Sequence, residues 1–118
     1  PGAFHEPRTG QAIAELNALP EIRERTRLVI GDALQIAPES IGGWFRAVTG
    51  DSILMSFDPV AHDTLGFQVL GEVLVSEGND GKAEYLAKTT QLWLSRSAEL
   101  GLGTNDPANI DLAEINLG

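Results

Sequence analysis

Two short apolar runs constrain this chain more than any other feature. Leu28-Val29-Ile30 ends in Gly31-Asp32, and Ser52-Ile53-Leu54-Met55-Ser56-Phe57 ends in Asp58-Pro59. Each is shorter than an ordinary helix and is closed by turn-forming residues, so residues 27–32 and 52–57 are predicted strands of one sheet. The first run is continuously apolar, without period-two alternation, which favours a strand covered on both faces. Asp58-Pro59 has the form of a helix start, a carboxylate at the N-cap followed by proline at the first helical position.

The other elements arrange themselves around these two. Residues 1–10 form an irregular lead-in, after which Ile13, Leu16 and Leu19 fall at helical spacing; Pro20 ends or redirects that helix, and Glu21 to Arg25 make a further turn. Residues 33–51 hold Pro38, Gly42, Gly43 and Gly50 around Trp44 and Phe45, and read as a long loop with Trp44 as a flap over a ligand or a cover for the sheet edge. A helix is expected from Asp58 to about Glu77, a turn at Gly78-Asn79-Asp80-Gly81, and a second helix through Leu86, Thr90, Trp93, Ser97 and Leu100. Gly101 is its left-handed C-cap, with Leu102 closing it. Ile110 to Leu117 resembles a terminal strand.

This order predicts an α/β fold, a small mixed or parallel sheet flanked by helices. Three strands are few for a sheet, so residues 1–118 are expected to be a single α/β domain excised from a longer protein, as the start at Pro1 without methionine also suggests. Such a piece would expose apolar surface and strand edges, from which a homodimer is expected.

Charge narrows the partners. The net charge is −9, with five basic and six acidic residues in positions 1–50 but three and eleven in 51–118. That balance disfavours nucleic acid, whose binding needs clustered Lys and Arg. It suits a solvated surface, a cationic partner or a metal. No apolar stretch approaches the roughly 18–20 residues of a membrane span. There is no cysteine, so no thiolate nucleophile or cysteine-held iron–sulfur cluster can be built within these residues.

The chemistry-bearing candidates are carboxylates. Asp32 and Asp58 each follow an apolar strand, and ligands of parallel sheets collect beyond the carboxyl ends of strands. Asp63 lies in the first two turns of the helix begun by Asp58. If the strands run parallel, Asp32, Asp58 and Asp63 converge at one sheet rim, where a divalent cation such as magnesium or calcium would relieve their repulsion. The helix start could instead orient an anionic small ligand. Read without a ligand, Asp58 caps the helix and Asp32 serves a turn. His5 and His62 have no neighbouring histidine or thiolate and read as surface or turn residues.

Three segments together resemble domain of unknown function 362. They are Leu28-Val29-Ile30-Gly31-Asp32-Ala33-Leu34, then Asp58-Pro59-Val60-Ala61-His62-Asp63 with Gly66, and finally Gly101-Leu102-Gly103 with Glu114-Ile115-Asn116-Leu117-Gly118. The resemblance spans nearly the whole chain and matches the C-terminal portion of the family domain; His62 stands where family members often carry an apolar residue. It implies an α/β domain associated with ferredoxin-type iron–sulfur modules, the cluster being held elsewhere in the full protein. Two functions follow as expectations. One is a domain of an iron–sulfur-associated redox protein binding a small ligand or divalent metal at a carboxylate-lined rim. The other is a noncatalytic scaffold docking a ferredoxin-like module, the remainder of the protein or another subunit.

Overall fold

The computed structural model describes residues 9–41 and 44–117. It is a mixed α/β structure: a two-stranded antiparallel sheet and four helices. Helix α1 is Thr9–Asn17 and α2 Pro20–Arg23, separated where Pro20 cannot continue the first helix. Strands β1, Val29–Ile41, and β2, Trp44–Ser56, form a ribbon, followed by α3, Pro59–Ser76, and α4, Asp80–Glu99. A single 3-10 turn, Pro107–Asn109, precedes the C-terminal segment 110–117, which forms no regular element.

Both apolar runs are strands of one sheet, as the sequence predicts, but two expectations are corrected. Residues 33–51 are not an irregular loop. Pairing continues from Val29↔Ser56 through Ala33↔Ser52, then Gln35↔Thr49 and Ile36↔Val48, to Glu39↔Arg46 and Ile41↔Trp44. Two irregularities, at Ala33/Gln35 and Ile36/Glu39, absorb the residues that argued against a strand: Gly50 and Asp51 at the first, Pro38 at the second. Asp51 takes a φ of 49°, a left-handed conformation that aspartate tolerates. Nor is Ile110 to Leu117 a strand. Among the described residues no strand runs beside it, so its backbone has no ladder to join.

The helices end where their glycines allow. At the end of α4 Gly101, with φ 71°, donates to the Ala98 carbonyl at 2.9 Å, and Leu102 donates to Ser97 at 3.0 Å. This is the paired closure of a Schellman motif, and alanine at Gly101 should cost about 1 kcal/mol in a urea titration followed by circular dichroism.

The helices pack with α1 and α3 against α4, while α3 also lies on the ribbon. Ala14, Val60, Ala61, Leu74 and Leu94 are buried, as is Ala33 of β1, and Phe67 and Trp93 stack obliquely with centroids 5.3 Å apart. Arg96 links α4 to α1 through Glu15, at 3.3 Å, and also pairs with Glu99 at 3.2 Å; those two contacts, Glu99's the larger, raise its pKa. Arg46 of β2 pairs with Glu77 beyond the end of α3. Among the described residues three of the six buried apolar residues are alanines, while large apolar side chains such as Ile30 and Met55 stay exposed. Among the described residues no helix is long and apolar enough to cross a membrane.

Candidate docking surface

Parity along the ribbon decides what its two faces carry. Cross-strand partners share a face, so Gly31 with Leu54 and Ala33 with Ser52 lie on one side, and Ile30 with Met55 and Asp32 with Ile53 on the other. Helix α3 covers the first side: the His62 ring sits so close to Gly31 that a Cβ there would lie 2.6 Å from Nε2. The second side has no covering element among the described residues. Leu28, Ile30, Leu34, Ile53 and Met55 are 45% to 64% exposed on it or at its end, with Asp32 the charged residue among them.

The carboxylates do not gather at one rim. The strands are antiparallel, which removes the parallel alignment on which convergence depended. Asp32 belongs to the outward face and accepts a hydrogen bond from the Leu34 amide at 2.9 Å. Asp58 and Asp63 belong to the start of α3 on the covered side. Among the described residues no three His, Cys, Asp or Glu side chains stand together as a metal ion would need.

Asp58 is instead a clasp. One carboxylate oxygen, Oδ1, accepts from the Val60 and Ala61 amides, each at 2.8 Å, which caps α3 as the sequence predicts. The other, Oδ2, accepts from the Thr104 amide at 2.9 Å, while Asp58's own amide donates to the Ser56 hydroxyl at 3.0 Å. One residue thus joins the end of β2, the start of α3 and the segment after α4. Gly103 fits against it only because it lacks a side chain, for a Cβ there would meet Asp58 Oδ1 at 1.8 Å.

Asp63 Oδ1 accepts a hydrogen bond from His62 Nδ1 at 3.0 Å and is otherwise exposed. The His62 side chain is 11% exposed, so it is a packing residue and not a surface one. A cleft of about 520 Å³ opens beside Asp63, lined by Ile13, Arg23, Val29, Phe57, Val60 and Trp93 among others. His62 Nε2 and Trp93 Nε1 are buried without a hydrogen-bond partner among the described residues. The Trp44 backbone pairs with Ile41, and its side chain lies outside the described residues.

The outward face was the feature sequence reading missed. Its signal was present in the spacing Leu28-x-Ile30-x-Asp32-x-Leu34 and Ile53-x-Met55, hidden because the inward positions Val29 and Leu54 are also apolar. No family model, curated protein or solved structure matches the chain.

Proposed function

We propose that this chain is a noncatalytic docking domain, and that the outward face of its ribbon seats against a different protein subunit. The observation that carries this reading is the row of exposed large apolar side chains along Leu28, Ile30, Leu34, Ile53 and Met55. Contiguous exposed apolar surface of this kind marks association sites more often than solvent-facing ones. A two-stranded ribbon is also marginal alone, and a strand apolar on both sides is the pattern of a sheet layered on both faces.

The partner's chemistry follows from charge. Asp32 is the charged residue of the face, so the complementary surface is apolar and carries a basic group to meet that carboxylate. The resemblance to domain of unknown function 362 supports an iron–sulfur redox context for that subunit. The cysteine-free chain offers no thiolate for such a cluster, which leaves the group to the partner.

The test uses the tagged chain purified from its natural source. A stoichiometric subunit should shield the amides of residues 29–33 and 52–56 from hydrogen exchange. It should be lost from the double variant Ile30→Ser with Met55→Ser but kept by Tyr85→Ser with Leu92→Ser, which removes exposed apolar groups from α4 instead. Since hot-spot residues of an interface contribute about 2 kcal/mol or more each, affinity should fall at least roughly thirtyfold. Retention of the subunit by the ribbon variant would defeat the proposal.

A further inference from the structure

The ribbon is defended unevenly along its length. Natural sheets blunt open edges with proline, bulges and charge. Here those devices, Pro38, the two irregularities and Asp51, all fall in the distal part, whereas the five pairs from Val29↔Ser56 to Ala33↔Ser52 are regular. Among the described residues β1 pairs only with β2, so its other edge from Val29 to Ala33 faces no strand.

The same chain carries a segment suited to such an edge. Residues 111–117 are exposed and form no regular element, and Leu112, Ile115 and Leu117 are 63% to 95% exposed. Ile110, with φ −101° and ψ 115°, already has extended backbone at the start of the segment. The two regions are also oppositely charged. Arg23, Arg25 and Arg27 are exposed immediately before β1, whereas the segment carries Asp111 and Glu114; none of these five forms an ion pair among the described residues.

We infer that residues 110–117 of a second copy of this chain add as a third strand along the proximal edge of β1, in a reciprocal two-fold dimer. Among the described residues the segment lies along no strand of its own chain, and an exchange between copies pairs both open edges at once. The arginines before β1 select that edge over the edge of β2. Net charge does not forbid the association, because exposed charges are screened beyond about 8–10 Å at physiological salt and the local Arg to Asp and Glu pairing governs at contact. This interface uses the ribbon's edge and leaves its outward face for the docking proposed above, so the two ideas stand or fall on different variants.

Sedimentation equilibrium of the full chain should show a dimer. Deleting residues 110–118 should give a monomer of unchanged far-ultraviolet circular dichroism, since residues 111–117 contribute nothing to the buried core. The charge-reversed pairs R25E/R27E and D111R/E114R should each raise the dimer dissociation constant about tenfold or more. Mixing the two reversed chains should restore dimer, because each then offers the sign its partner lacks. A monomeric wild type, a dimer that survives the deletion, or a mixture of reversed chains that stays monomeric would each overturn the inference.

Discussion

Asp58→Ala should lower the stability of the folded chain by about 2.5–4 kcal/mol, combining a lost helix cap of about 1 kcal/mol with a lost charge-assisted bond of about 1.5–3 kcal/mol to Thr104. The carboxylate is half-buried and holds three amides, so water cannot fully replace it. Asp58→Asn divides the effect. Its side-chain oxygen can still cap Val60 and Ala61, but its amide nitrogen would face the Thr104 amide donor to donor. About half the loss is expected, read from urea midpoints at constant slope. The effect should be the same with magnesium, calcium or chelator present. A loss that appeared only with divalent cation would make Asp58 a metal ligand and not a clasp.

Local signals were legible where the responsible residues are neighbours. Asp58-Pro59 starts α3, Pro20 separates α1 from α2, and Gly101-Leu102 closes α4, each through contacts within a few positions. The strands were legible as apolar runs, but their length was not. Pro38, Gly50 and Asp51 oppose strand formation one at a time, and only the partner strand makes it worthwhile to absorb them as irregularities.

The candidate site was least legible because its contacts are distant in sequence. Asp58 meets Thr104 across 46 positions, and Gly31 meets His62 across the whole hairpin. Nothing in the spacing of Asp32, Asp58 and Asp63 distinguishes convergence from separation; the sense of one strand pair decides it. The antiparallel sense puts Asp32 among apolar neighbours on the outward face and Asp58 at a junction of three segments. A carboxylate cluster therefore dissolves into one capping clasp, one exposed partner of His62 and one local turn bond.

Gly31→Ala tests how the ribbon is seated on α3, and should cost about 1–3 kcal/mol. The added methyl would stand 2.6 Å from His62 Nε2 and 2.8 Å from Cε1, closer than real Cβ contacts allow. The ring has little room to retreat: its side chain is 11% exposed, and Nδ1 is engaged by Asp63 at 3.0 Å. His62→Ala alone should be milder than an ordinary core truncation, because it also removes a buried nitrogen that has no partner. In the double variant the methyl occupies space the ring has left, so the two losses should not add. A favourable coupling of about 1 kcal/mol or more is expected from the four thermal unfolding curves of the cycle. Strict additivity would mean that the ring and the glycine do not touch in solution, and that the inward face of the ribbon is seated on α3 by other residues.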